Sequence, residues 1–177
     1  MGGVHGNPGF SGVHDSPGSG GVHGNPGSGG VHGNPGSGEV RDSPDPWVAE
    51  HIRRFQETGG RPRPGTNDLL LTTRGRRTGE LRRTALVYGR DGDRYVLVAS
   101  NRGADRHPAW YLNLLADPRV TVQVGTEVFT ARARPATAAE RPGLWRLMAS
   151  ARPEYAAYRE RTTREIPVVL LERLPGR

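Results

Sequence analysis

The 177-residue chain contains no cysteine and no lysine. The first absence excludes disulfides and thiolate metal sites. No run of 18 apolar residues occurs, which excludes a membrane-spanning helix of ordinary length. The N-terminus lacks the charged and apolar regions of a signal peptide, so a soluble, cytoplasmic protein is expected. HExxH, G-x-S-x-G, GxxxxGK[ST] and CxxC are all missing. His51 and His107 are the only histidines outside the N-terminal repeat, so a metal hydrolase has little to work with and no metal site is expected. All 25 basic residues are arginine. That bias fits GC-rich coding and lowers the evidential weight of any single guanidinium.

Two regions of different kind are present. Residues 3–38 repeat with a period of nine (GVHGNPGFS, GVHDSPGSG, GVHGNPGSG, GVHGNPGSG), and EVRDSPDPW at 39–47 is a decayed copy. One valine per unit against Gly, Ser, Pro and Asn buries too little apolar area to offset backbone ordering. Residues 1–45 are therefore expected to be a disordered tail, and 46–177 a single domain. His5, His14, His23 and His32 recur in the repeat. Translation of a repeated DNA unit explains them better than a metal-binding role does, and a natural start downstream, at Val40 or Val48, follows as an expectation. Residues 1–46 carry four acids against Arg41, a net of −3, which leaves +10 on the remainder of a +7 chain. A domain this basic suits anionic partners.

Asp45 before Pro46 predicts a helix N-cap. Val48, Ile52 and Phe55 then form one apolar face, ending near Gly59-Gly60. Strands are predicted over 69–73, 81–88 and 94–100, with turns at 75–79 and at Asp91-Gly92. Pro108 opens a helix, with Leu112 and Leu115 expected in the core. Val120, Val122 and Val124 mark the dry face of a strand that turns at Gly125-Thr126 into 127–134. A capping box, Thr137 to Glu140, starts a helix over about 138–151. A second helical piece reaches about residue 161, and a strand covers 168–171. The order α-β-β-β-α-β-β-α-α-β shows no βαβ alternation, so the fold class is α+β, mainly antiparallel. Residues 95–99 are apolar on both faces, which suits a small closed or split barrel packed by helices.

Three groups of residues are candidates for chemistry. Arg74, Arg76, Arg77, Arg82 and Arg83 crowd a glycine-containing turn between two apolar runs at 69–88. Such a hairpin offers guanidinium forks and free backbone N–H groups to a phosphate or carboxylate chain; a solvated basic turn is the plainer reading. Ser100, Asn101 and Gly103 lie where a strand ends and a helix soon begins, another natural anion site. Trp110 and Tyr111 could flank a planar ring, with Asn113 one turn on. Tyr155 and Tyr158 share a helical face; that spacing alone favours packing over proton donation. Nucleic-acid binding is not expected, because the arginines lack interleaved aromatics and no DNA-binding motif occurs.

The segment LLLTTRGRRTGELRRTALVYGRDGDRYVLVASNRGADRHPAWYLNLLADPRVTVQV, with YAAYRERTTREIPVVLLERL after it, resembles the deazaflavin-dependent nitroreductase family of actinobacteria. The resemblance covers about residues 47–174 and rests on TTxGRxTG followed by HPxWYLNL. It implies a split β-barrel of the FMN-binding, pyridoxamine-oxidase-like type, and coenzyme F420 as cofactor, with FMN the alternative. It implies an oxidoreductase that passes hydride to a small electron-poor acceptor: a quinone, an enone or a nitro compound. The other reading is a non-catalytic F420-, flavin- or haem-binding barrel. By matching positions, Arg76, Arg77 and Thr78 would hold the anionic tail. Arg82, Arg83, Thr84, Ala85, Leu86 and Val87 would line the groove. Val98, Ala99, Ser100 and Asn101, with Ala109, Trp110, Tyr111, Leu112 and Asn113, would complete it. Tyr155 would face the ring and substrate, with Ser100 and Tyr155 as catalytic groups. Two positions depart from the family pattern: Asn101 stands where Lys is frequent, with Arg102 beside it, and Arg152 where an aromatic is common. A monomer or homodimer is expected, and Trp47 with the apolar face behind it offers a weak peripheral membrane contact.

Overall fold

A computed structural model describes residues 38–176. The repeat histidines, and the disorder expected of residues 1–37, lie outside the described residues. The elements are β1 (Val40–Asp42), α1 (Pro46–Glu57), β2 (Asp68–Arg74), β3 (Leu81–Val87), β4 (Gly89–Asp91), β5 (Arg94–Val98), α2 (Ala109–Ala116), β6 (Arg119–Val124), β7 (Glu127–Pro135), α3 (Arg141–Ala151), α4 (Glu154–Glu160) and β8 (Val168–Arg173). A short 3-10 turn, Asn101–Gly103, follows β5.

The strands form one sheet in the order β1-β3-β2-β6-β7-β8-β5-β4, antiparallel except for the β1–β3 pair. Only Tyr88 separates β3 from β4, yet these strands lie near opposite ends of that order. The sheet must therefore roll up so that one chain segment serves both ends. The result is a split β-barrel, as the sequence predicts.

Period-two alternation then sorts the side chains. Leu69, Leu71, Tyr95, Leu97, Val120, Val122, Phe129, Ala131, Ala133, Val169 and Leu171 fill the interior, with Tyr111 and Leu114 of α2 packed among them. Their neighbours face outward under helices. Val96, Val98, Val168 and Leu170 meet Leu144, Trp145, Met148 and Tyr155 of α3 and α4. Leu70 and Ala85 meet Val48, Ile52 and Phe55 of α1. This is why β5 and β8 are apolar on both faces: one face lines the barrel and the other lies beneath helices.

The helix starts follow their sequence signals. Asp45 Oδ1 accepts from Trp47 N at 2.9 Å and Val48 N at 3.2 Å. Burial of Val48, Ile52 and Phe55 contributes about 1.5–3 kcal/mol each. That burial withdraws the apolar face of α1 from any membrane and leaves Trp47 as its exposed large apolar residue. Gly60 has φ +81°, and a Cβ there would run into the Gly125 backbone. Glycine is thus required where the exit of α1 passes the β6–β7 turn. Thr137 N donates to Glu140 Oε1 (3.0 Å) and Glu140 N to Thr137 Oγ1 (3.2 Å), the reciprocal pair of a capping box.

Three details differ from the sequence reading. β1 lies within the stretch assigned to the tail; its residues are exposed and held by parallel pairing with β3, a long-range contact that leaves no hydrophobic period to read. The α3 helix begins at Arg141 rather than 138, because the capping-box residues form the preceding turn. Leu115 is half exposed, since Tyr111 and Leu114, three apart, already take the core-facing side of α2.

Candidate functional site

The β2–β3 turn is organised from within. Gly75 N donates to Glu80 O (2.7 Å), Gly79 N to Gly75 O (2.8 Å) and Glu80 N to Thr78 Oγ1 (3.3 Å). Arg76 N donates to Asn113 Oδ1 at 3.2 Å, so the rim offers a ligand fewer free amides than the sequence suggests. Among the described residues, the amides of Arg77 and Thr78 remain without a partner. The arginines also divide. Arg82 pairs with Glu80 (3.0 Å), Arg83 with Asp42 of β1 (2.6 Å), and Arg74 with Gly79 O (3.0 Å) and Asp117 (3.6 Å). Arg76 Nη1 touches only a neutral amide, Asn113 Oδ1 at 3.2 Å, and Arg77 makes no ion pair among the described residues. Two uncompensated guanidiniums and two free amides therefore face solvent at one turn, a donor set that fits an anionic tail.

Strand alternation splits the residues proposed to line one groove. Ala85 lies under α1, whereas Leu86 packs toward the barrel core. By the same period, Arg82 and Thr84 fall on the Leu86 side, and Arg83 and Val87 on the Ala85 side. One ligand face cannot take all six. Val98 likewise turns outward toward α4, and Ala99 inward.

Asn113 ties the hairpin to α2. It is buried, and while its oxygen accepts from Arg76, its Nδ2 donates to Thr73 Oγ1 at 3.2 Å. On the same helix, Ala109 is exposed and Trp110 half-buried, edge-on to Tyr111 with centroids 6.3 Å apart. Leu112 packs against the barrel core.

The loop after β5 is strained and clamped. Asn101 (φ 43°), Arg102 (φ 56°) and Gly103 (φ 78°) are successive left-handed residues, and a Cβ on Gly103 would press on the Tyr158 carbonyl of α4. Arg164 holds the loop from outside: Nη2 donates to Ser100 O (2.8 Å), Nε to Ala104 O (2.8 Å), and both terminal nitrogens reach Ala99 O (3.4 Å). Its Nη1 also lies 3.1 Å from His107 Nδ1. A guanidinium can only donate, so His107 Nδ1 accepts and the ring is neutral. Burial, and then Arg164, push the His107 pKa down, in agreement. His107 in turn packs on Tyr111, centroids 4.9 Å apart. A chain of contacts thus runs from Ser100 through Arg164, His107, Tyr111 and α2 to Asn113 and Arg76. Sequence reasoning did not single out Arg164 or the role of His107. Arg164 sits 57 to 65 residues from its acceptors, and no local pattern announces such contacts.

Tyr155 lies in α4, buried beside Val98 and Val168 and edge-on to Tyr158 at 6.4 Å. Burial pushes its phenol up to about 12. Neither the Ser100 hydroxyl nor the Tyr155 phenol hydrogen-bonds to another described residue, so both are available to a ligand. Asn101 Nδ2 donates to Arg106 O (3.0 Å).

Among the described residues no cluster of His, Asp and Glu could hold a metal ion, and no helix is long and apolar enough to cross a membrane. The model of the F420H(2)-dependent quinone reductase family matches residues 47–173. The F420H(2)-dependent quinone reductase Rv1261c of Mycobacterium tuberculosis is 43% identical over 108 residues, covering 59% of this chain and 72% of that protein. A solved F420-H2 dependent reductase (FDR-A) superposes with a TM-score of 0.56 at 38% identity, covering 60% of this chain and 94% of that one. A structure described as a domain-swapped dimer gives 0.58 at 37%, covering 73% and 100%. With the family match spanning the barrel, both helical layers and the clamped loop, the chain belongs to the F420H(2)-dependent quinone reductase family.

Proposed function

We propose that this chain reduces a quinone-type acceptor with F420 as cofactor, holding the anionic tail at the β2–β3 rim and the acceptor between the Ser100 loop and α4. When bound, reduced F420 supplies the hydride. Arg76 and Arg77 attract the tail's charges, and Asn113 with Thr73 keeps the rim registered to α2. Ser100 and Tyr155 donate hydrogen bonds to the acceptor oxygen as negative charge develops on it. Tyr155 suits this role because its phenol, with a pKa pushed up to about 12, keeps its proton at neutral pH. The observation that carries the reading is the contact chain joining the rim, α2 and the Ser100 loop, flanked by two hydroxyls without protein partners. Quinones are preferred to enones and nitro compounds as acceptors because of the family match.

The test is direct. Purified protein should quench or shift F420 fluorescence with micromolar affinity, and menadione should then oxidise the reduced cofactor. Binding without turnover across a panel of quinones would favour the carrier reading instead. A homodimer belongs to the proposal, and light scattering on the full chain checks it. A cytoplasmic location belongs to it too, checked by cell fractionation.

A further inference from the structure

Arg164 holds the Ser100 loop through a fork whose orientation depends on one further acceptor. Its Nη2 donates to Ser100 O and its Nε to Ala104 O, each at 2.8 Å. For Nη1 the nearer acceptor is His107 Nδ1 at 3.1 Å, with Ala99 O at 3.4 Å. A guanidinium is planar, so fixing Nη1 also fixes the direction of Nη2. The loop it holds is strained, with Asn101, Arg102 and Gly103 left-handed in succession. Ser100 itself is buried, and its hydroxyl has no partner among the described residues.

His107 fills this role only while its Nδ1 carries no proton. A protonated ring makes Nδ1 a donor and sets two cations 3.1 Å apart with no acceptor between them. Among the described residues no carboxylate pairs with His107. Asp105 accepts from Thr162 Oγ1 at 2.9 Å, and its charge favours Arg164. Glu165 faces Arg141 at 3.7 Å. Arg106, on the same loop, adds positive charge and makes no ion pair among the described residues. From α2, Tyr111 packs on the ring with centroids 4.9 Å apart and keeps its proton, since burial and then Glu165 push its phenol up. Burial and Arg164 both push the His107 pKa down. The neutral ring therefore prevails at neutral pH, and the acceptor is lost as the pH falls below about 6.5 and through the lowered value.

We propose that His107 is a positioning residue for the reduction: its neutral ring orients Arg164 on the Ser100 loop, and protonation of the ring releases that clamp. Ser100 then loses its fixed place beside the acceptor, and turnover falls in mild acid. His107 touches neither substrate nor cofactor in this scheme; it acts through Arg164. The link to turnover rests on the proposed function, whereas control of the loop does not.

Nuclear magnetic resonance titration of the full chain without cofactor, from about pH 7.5 to about pH 5, tests loop control. The His107 ring should titrate below about 6.5, and the amides of Ser100, Gly103 and Ala104 should shift with the same midpoint. In His107→Asn, the side-chain oxygen is bonded to Cγ as Nδ1 is and gives a neutral acceptor that cannot titrate. The loop shifts should vanish in that variant. His107→Phe keeps a ring on Tyr111 and removes the acceptor. With F420 and menadione it should lower kcat severalfold at neutral pH, and His107→Asn should restore most of that loss while flattening the acid limb of the pH profile. Loop amides that stay still as His107 titrates, an acid limb identical in the wild type and His107→Asn, or an undiminished kcat in His107→Phe would each overturn the proposal. The amide titration needs neither cofactor nor acceptor, so its failure is told apart from a failure of the proposed function.

Discussion

Arg77 on the β2–β3 turn and Arg164 before β8 are the same residue type and opposite in use. Arg77 is exposed and has no ionic partner among the described residues. Arg164 is half-buried, donates to three backbone carbonyls and orients a histidine. A third case lies under α1, where Arg63 saturates the buried carboxylate of Asp68. In a chain whose basic residues are all arginine, residue identity separates none of these. The partners do: an unpaired guanidinium is free to bind a ligand, and a fully engaged one holds the fold.

Four substitutions would break or sharpen that comparison. The largest effect belongs to Asp68→Asn, which leaves Arg63 short of its counter-charge and should cost about 3–5 kcal/mol at neutral pH. Burial works to raise the Asp68 pKa, but His51 and Arg63 outweigh it and hold the carboxyl well below its usual range. Its stabilisation is therefore fully present above the unfolded value of about 3.9 and is lost as the pH falls through the lower folded value. The gap between denaturant melts of the two proteins should start to narrow below about pH 4 and close as the pH falls through the folded value; a constant gap would refute the ionic assignment.

Arg164→Met follows. It strips the Ala99 and Ala104 carbonyls of their Arg164 donor, leaves the Ser100 carbonyl with the Gly103 amide alone, and lets a strained loop relax, at a cost of about 2–3 kcal/mol. Loop positioning predicts a fall in kcat as well as in Tm, with Arg164→Lys restoring stability better than kcat because lysine lacks the fork. A variant that loses Tm but keeps kcat would make Arg164 purely structural.

Arg77→Glu should weaken F420 binding roughly 10- to 30-fold with Tm unchanged, and less so in high salt. Loss of a tail-less deazaflavin should be much smaller; equal loss would remove Arg77 from the tail site. Tyr155→Phe should lower kcat about tenfold and leave F420 affinity within about twofold, and because burial pushes the Tyr155 phenol up to about 12, the wild-type rate should show no loss from its ionisation up to about pH 10. An unchanged kcat would return Tyr155 to simple packing beside Val98 and Val168.

Much of the fold was legible because its signals are local. The Asp45 cap, the Val48–Ile52–Phe55 face, the Asp91-Gly92 turn and the Thr137–Glu140 capping box all lie within one or two helical turns or a single hairpin, where sequence spacing is spatial spacing. Strand β1 was not legible, since Arg41 and its neighbours pair with residues some 40 positions away. The candidate site was half legible. Motif resemblance brought out Arg76, Ser100, Asn113 and Tyr155, but a run such as Arg82 to Val87 cannot show from spacing against a motif that alternate residues face opposite ways.

By itself, then, the sequence determined the family through the resemblance of its motifs, and the antiparallel strands, their helical cover and a basic turn through composition, periodicity and capping, which act over a few residues. Only the tertiary structure decided which arginines remain free, that Asn113 locks the turn to α2, and that Arg164 clamps the Ser100 loop. Each of those depends on a partner brought close by the closure of the barrel, and in a chain of 25 arginines charge has meaning only with its neighbour in place.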